Sequence, residues 1–367
     1  MTDLWTRVDH LIDTLPQTDI VGLRAHGIQL LAGRHWRAQG RQIPPEFLAD
    51  ERVMVASTLT VPVLLERIRD ILEGPIVLLK GPEVAARYPD PALRPFWDLD
   101  LLVQDAPAAQ AALLAAGFEV VGSHDFSHQE VAIRWPGLHP AIEIHNMPNW
   151  PYWLKPPSTE ALFAVAVPSV MNIEGVLTLP PREHALLLAA HSWHHGPLRS
   201  LQDLIDVAIM ADEADPADLD ALARRWGMHR VWTLTTRTID IILRSDRPSA
   251  ENWSGPYWAQ HLAVARDRTV FQHHALRVLG AMAAPNPRAM LRGFTAAADE
   301  VLTPLNGESW LTKLARMRRA LSDASRPSTL RGLRDTQRGK RSGSVLAETP
   351  VPPRAVEREP EYPGGNG

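Results

Sequence analysis

The sequence predicts an α+β protein: a small mixed sheet with helices, flanked by an N-terminal helical segment and a C-terminal helical domain. Three observations carry this. Apolar residues recur at helical spacing on both sides of a middle stretch. The middle stretch, Gly74 to Trp150, instead carries short β-branched and apolar runs bounded by glycine and proline. The chain's 367 residues are length for two or three domains, each able to bury a core. The expected division is residues 1–73 (helical segment), 74–150 (sheet-bearing core), 151–324 (helical domain) and 325–367 (disordered tail).

In the first segment Val8, Leu11, Ile12 and Leu15 fall near a 3.6-residue period. Leu23, Ile28, Leu30, Leu31 and Trp36 form a second such stretch. Val53, Leu59, Val63, Leu64, Ile68, Ile71 and Leu72 form a third. The pattern changes at Gly74-Pro75. Residues 76–79 read as a buried strand, and Lys80-Gly81-Pro82 as a turn into one or two helical turns. Pro89, Pro91 and Pro95 mark an irregular loop. Residues 98–103 are the next strand, 107–116 a helix stopped at Gly117, and 118–121, 131–135 and 141–145 further strands. After Pro151 a short hairpin is expected over 170–173 and 176–179. Helices are expected over 181–195, 201–212, 216–226, 230–244, 266–284, 287–301 and 310–322. Beyond about Ser325 the apolar period gives way to Gly, Pro, Ser and Arg, with a basic run at Arg331, Arg334, Arg338, Lys340 and Arg341.

Composition narrows the chemistry. Hydrophobic residues at 45% and charged residues at 22% exclude a fully disordered or collagen-like chain. The absence of cysteine excludes disulfides, thiolate catalysis, Fe–S clusters and Cys-ligated zinc. A net charge of −4 provides no global field for long nucleic acid or an anionic membrane. No window approaches the roughly 18 apolar residues of a membrane span, and no secretory signal pattern opens the chain, so a cytoplasmic location is expected. The phosphate-binding loop GxxxxGK[ST], a GxGxxG after a strand and GxSxG are all missing.

The residues that carry chemistry are Lys80-Gly81, Arg94, Asp98-Leu99-Asp100 and Glu143. Asp98 and Asp100 alternate with Leu99 on a strand, so both carboxylates project from one face. Adjacent carboxylates repel, and a divalent cation relieves the repulsion; Mg²⁺ (or Mn²⁺) suits carboxylate and phosphate oxygens. Glu143 alternates with Ile142 and Ile144 on a later strand. If the two strands are neighbours, Glu143 becomes a third carboxylate. Three can hold two ions about 3.5–4 Å apart, one beside the attacking oxygen and one beside the leaving pyrophosphate. Gly81 permits close backbone approach to phosphate at a helix start, and Lys80 or Arg94 can add a cation. Taken alone, Asp-x-Asp also fits two exposed acids at a strand start, or a Mn²⁺-dependent glycosyltransferase.

Several motifs occur in order: Leu78-Leu79-Lys80-Gly81, Tyr88-Pro89-Asp90-Pro91-Ala92-Leu93-Arg94-Pro95, Asp98-Leu99-Asp100-Leu101-Leu102-Val103, Leu113-Leu114-Ala115-Ala116-Gly117-Phe118 and Ile142-Glu143-Ile144-His145. With Pro181-Arg182-Glu183-His184 and Leu201-Gln202-Asp203-Leu204-Ile205-Asp206, they resemble the uncharacterised nucleotidyltransferase family of the DNA polymerase β-like superfamily, over about residues 56–228. The resemblance implies a nucleotidyltransferase-fold sheet and metal-dependent transfer of a nucleoside monophosphate from an NTP to a hydroxyl or phosphate, with the acceptor itself left open among small molecule, peptide, protein and RNA, and the acidic balance against long nucleic acid. It implies catalytic and metal-holding roles for Asp98, Asp100 and Glu143, and nucleotide binding by Lys80, Gly81 and Arg94. Pro82 stands where the superfamily carries serine or glycine, and Asn146 where the family usually has tryptophan. A fold that binds nucleotide without turnover is the alternative.

His184, His191 and His195 share one face of an expected helix. Pocket lining suits them better than a separate metal site with Asp203 and Asp206, and the zincin spacing is absent. His145 and His191 are the candidates for an acceptor pocket. Most of the twelve tryptophans, Trp150, Trp153, Trp193 and Trp226 among them, are expected to be core.

Overall fold

The protein is seen in a computed structural model that describes residues 3–15, 20–121, 129–195, 198, 200–245, 281–302 and 309–311. The expected helices over 266–284 and 310–322 lie mostly outside these residues, and the expected tail wholly so.

Four helices precede the sheet: α1 (Leu4–Asp13), α2 (Ile20–Ala25), α3 (Gln29–Ala38) and α4 (Pro45–Ile71). Proline at the first position of α4 is pre-set for a helix start. The long α4 buries Met54, Ser57, Val61, Leu64, Leu65 and Ile68. That stripe leaves Leu59 and Val63, expected on the apolar face, 73% and 65% exposed.

The sheet has seven strands: β1 (Ile76–Leu78), β2 (Asp98–Leu102), β3 (Glu119–Val120), β4 (Ile133–Arg134), β5 (Ala141–His145), β6 (Val167–Pro168) and β7 (Val176–Thr178). Their order is β3-β4-β5-β2-β1-β7-β6. The pairs β2–β5 and β1–β7 run parallel and the other four antiparallel. Three short helices connect the strands: α5 (Pro82–Ala85), α6 (Ala106–Ala115) and α7 (Thr159–Val165). The mixed sheet and its helices bear out the expected α+β class.

Strand alternation decides which face does what. Leu99, Leu101, Ile142 and Ile144 pack with Val61, Leu64, Leu65 and Ile68 of α4 and Leu113 of α6. Leu102, on the same face of β2 as the two aspartates, packs with Val77, Leu162 of α7 and Leu187 of the helix that follows β7. The aspartates therefore look toward the C-terminal helices.

Two expectations near this edge are corrected. The hairpin is formed by β6 and β7, with residues 170–173 in its turn region, because the extended run before the turn begins at Val167. The sequence reading also missed α7, whose start is marked by Ser158, accepting from the Ala161 amide at 3.2 Å.

Beyond the sheet come α8 (Pro181–His195), α9 (Leu201–Asp212), α10 (Pro216–Arg225) and α11 (His229–Ile239). A π-helical turn (Asp240–Arg244), 3-10 turns at Pro91–Leu93 and Ala281–Ala283, and α12 (Pro287–Leu302) complete the described elements. Asp215 caps α10 by accepting from the Ala217 and Asp218 amides at 2.8 and 3.2 Å. Val8, Leu11, Leu31 and Trp36 share one buried cluster with Leu186, Trp193, Leu204, Ile239 and Ile242. Arg7 Nη1 reinforces that junction by donating to the Arg244 and Ser245 carbonyls at 2.6 and 2.8 Å. Among the described residues no helix is long and apolar enough to cross a membrane.

Candidate active site

The parallel pairing of β2 with β5 sets Asp100 opposite Glu143 and Leu102 opposite His145. The strand adjacency on which the expected role of Glu143 depended is thereby present. Asp100 is the most enclosed of the three, its side chain 2% exposed, while Asp98 and Glu143 keep 19% and 24%. The site thus has a buried floor and two acids reachable from solvent.

Two bases bracket Asp100. His145 Nε2 donates to Asp100 Oδ1 at 3.1 Å and lies 3.8 Å from Glu143 Oε2. The Lys80 ammonium, carried at the end of β1, stands 3.2 Å from Asp100 Oδ2 and 3.8 Å from Asp98 Oδ1. Lys80 Nζ also meets His191 Nε2 at 3.4 Å, and the Asn149 side-chain amide stands 3.5 Å from His191 Nδ1. An ammonium can only donate, so toward Lys80 the His191 Nε2 is an acceptor.

These contacts shape the ionisation. For Lys80, burial alone would favour loss of the proton; Asp100, Asp98 and Glu143 outweigh it and hold the ammonium well above the usual lysine range. Burial works against ionised Asp100 too, but Lys80 and the His145 contact keep its carboxyl well below the usual range. Glu143 moves the other way: burial, with the charges of Asp98 and Asp100 added, raises it to about 7. His191 is pushed well below the ordinary imidazole range, by burial first and Lys80 second.

The donor set fits a divalent cation. Asp100, Glu143 and His145 each offer a ligand atom, all within 4.8 Å of one another. Carboxylate oxygens suit Mg²⁺ or Mn²⁺, and His145 Nε2, whose N–H goes to Asp100, orients that carboxylate. Asp100 Oδ2 is buried, and among the described residues the Lys80 ammonium answers its charge. Asp98 stands at the edge of this group, held to it through Lys80.

Not every expected residue converges here. Gly81 does adopt a conformation reserved for glycine, φ +72°, with room for a Cβ only 3.4 Å from the Asp98 carbonyl oxygen. The helix it opens is the four-residue α5, so little dipole stands behind the turn. Arg94 is turned away from the carboxylates and buried against Asp206, with Nη2 to Oδ2 at 2.6 Å and Nε to Oδ1 at 3.0 Å. The Tyr88 hydroxyl donates to the same carboxylate at 2.7 Å. That engagement leaves Arg94 as a brace behind the glycine turn. His145, expected in an acceptor pocket, is fully buried against Asp100 instead, on the same face of β5 as Glu143 and opposite Leu102. His184 gives its Nε2–H to the Leu79 carbonyl at 2.7 Å, and His194 Nδ1 bonds the Trp150 carbonyl at 2.8 Å. The side chain of His195 lies outside those described. Asn149 escaped the sequence reading because nothing in its spacing points at His191, 42 residues on.

Paired acids on one sheet strand, a third acid on its parallel neighbour, a glycine turn and a helical cover define a nucleotidyltransferase-like α+β protein. The model of the uncharacterised nucleotidyltransferase family matches residues 20–244, more than half of the chain, and the chain belongs to that family. No curated protein and no solved structure matches it.

Proposed function

We propose that this protein is a metal-dependent nucleotidyltransferase that moves a nucleoside monophosphate from an NTP to an acceptor and releases pyrophosphate. The single observation behind this is the Asp100–Glu143 pairing across parallel strands, with Asp98 two residues away on the same face.

Asp98, Asp100 and Glu143 hold the cation, with His145 fixing the Asp100 carboxylate from below. When bound, Mg²⁺ or Mn²⁺ supplies charge neutralisation to the phosphate oxygens and the departing pyrophosphate. Lys80 and the Gly81 turn receive the triphosphate. The acceptor oxygen forms a bond to the α-phosphorus while the bond from that phosphorus to the β-phosphate oxygen breaks, its electron pair leaving with pyrophosphate. Glu143, the most exposed of the three acids, takes the acceptor's proton. The helical half, through His191 and α8, borders the acceptor. The net charge of −4 favours a small molecule, peptide or protein acceptor over long nucleic acid.

The test is label partition. The protein is incubated with Mg²⁺, fractionated cell extract and each NTP labelled at the α- or γ-phosphate. The α-label becomes attached to an acceptor, the γ-label leaves as pyrophosphate, and Asp98→Ala loses both. Transfer of the γ-label to an acceptor would contradict the proposal. A second reading, a family fold that binds nucleotide without turnover, is favoured by Lys80 already neutralising the carboxylates and by Pro82 providing no hydroxyl. Nucleotide binding with no label transfer in any fraction would select it.

A further inference from the structure

We infer that Lys80 is a tethered counter-ion of the carboxylate cluster, one that competes with the divalent cation and has to leave the acids before the cation is held. The inference rests on the metal-dependent reading above and adds a gating role for one residue of this chain.

The geometry supports it from three sides. The Lys80 ammonium touches Asp100 Oδ2 at 3.2 Å and Asp98 Oδ1 at 3.8 Å, so it already stands at the oxygens a cation would need. Asp100 is held on its other oxygen by His145, so its unoccupied coordinating capacity lies on the Lys80 side. Two cations cannot share those few ångströms of buried, low-dielectric space without strong repulsion. Meanwhile His191 Nε2, 3.4 Å from the ammonium, supports Lys80 in this position. The lysine lies just past β1, after Leu79, and precedes the Gly81 turn, and its four-carbon stem lets the ammonium swing without moving the sheet. The triphosphate offers it a new anionic partner beside that turn. Lys80 then exchanges one ion pair for another as metal and nucleotide arrive, and the metal-free site never exposes three bare carboxylates.

The experiment titrates Mn²⁺ alone into the full chain, reading free Mn²⁺ by electron paramagnetic resonance. Lys80→Met is expected to bind Mn²⁺ about tenfold tighter than the parent, because a competing charge is gone. Asp98→Ala combined with Asp100→Ala is expected to abolish this binding. Equal or weaker affinity in Lys80→Met overturns the inference and leaves the metal site standing. Absence of Mn²⁺ binding in both the parent and Lys80→Met overturns the metal reading itself. A second measurement keeps the parent sequence: acylation of Lys80, quantified by mass spectrometry, is expected to rise several-fold on saturation with Mn²⁺. Unchanged acylation overturns the inference, and this result decides the matter should Lys80→Met fail to fold.

Discussion

The Arg94 guanidinium meets Asp206 with two nitrogens, at 2.6 and 3.0 Å, and Tyr88 completes the carboxylate's partners at 2.7 Å. Both charged side chains are almost fully enclosed, so removing one strands the other without water. Arg94→Ala is expected to lose about 3–5 kcal/mol of stability, read from the shift of the urea unfolding midpoint. An unchanged midpoint with weakened NTP binding would return Arg94 to the nucleotide site. Residue-level legibility was uneven for a physical reason. The carboxylates were readable because alternation on one strand fixes their common face within three residues. Arg94 and Lys80 were read as equivalent cations, and only the fold separates them: Asp206 lies 112 residues from Arg94, whereas Lys80 finds Asp98 and Asp100 on the strand paired with its own. Glu83 is a similar case. It is buried and bonded to Ser169 Oγ at 2.6 Å, a contact 86 residues long that no local pattern announces.

At the level of elements, α8 is locked to the end of β1 by the His184 Nε2–H bond to the Leu79 carbonyl. Burial lowers the His184 imidazole to about 4, so in the folded chain it stays neutral through mild acid. Unfolded, it would protonate near 6.5, roughly the ordinary histidine value. The stability it supplies is whole above about pH 6.5 and drains away as pH falls toward about 4, a change of about 3 kcal/mol. Urea titrations at pH 7.5 and 4.5 on the parent and on His184→Gln check this: the stability gap between them narrows in acid. A gap that stays constant would contradict a buried neutral imidazole. Long helices and the two central strands were legible from local signals, α8 from its Pro181 start with Glu183 in the first turn and β2 and β5 from alternation. The short α7 and the two-residue β6 were not. Elements of that size are held by partners such as Leu162 against Leu187 and Val167 against Thr178, not by their own pattern.

Across the whole molecule, helices from both ends of the described chain join in one core. Residues of α1, α3, α8, α9 and α11 share one buried cluster, and Arg7 reaches Arg244 and Ser245. The sheet presents its acids toward the helical side, with Lys80, His191 and Asn149 linking β1, α8 and the loop after β5 at that boundary. The sequence showed the class of fold and the common face of Asp98 and Asp100, since both follow from short-range periodicity, while Glu143 depended on strand order. The pairing of β2 with β5 and the lysine's seat among the acids are products of topology, and became visible only with the strands in order. The family match over residues 20–244 spans these elements, from α2 to the π-helical turn. The central claim is that the strand-borne acids drive metal-dependent nucleotidyl transfer, and pyrophosphate release tests it most directly. The full chain, Mg²⁺, each NTP and an extract-derived acceptor pool should release pyrophosphate, and Asp98→Ala with Asp100→Ala should release none. Release that persists in the double variant, or proceeds unchanged with the metal chelated, would contradict the account.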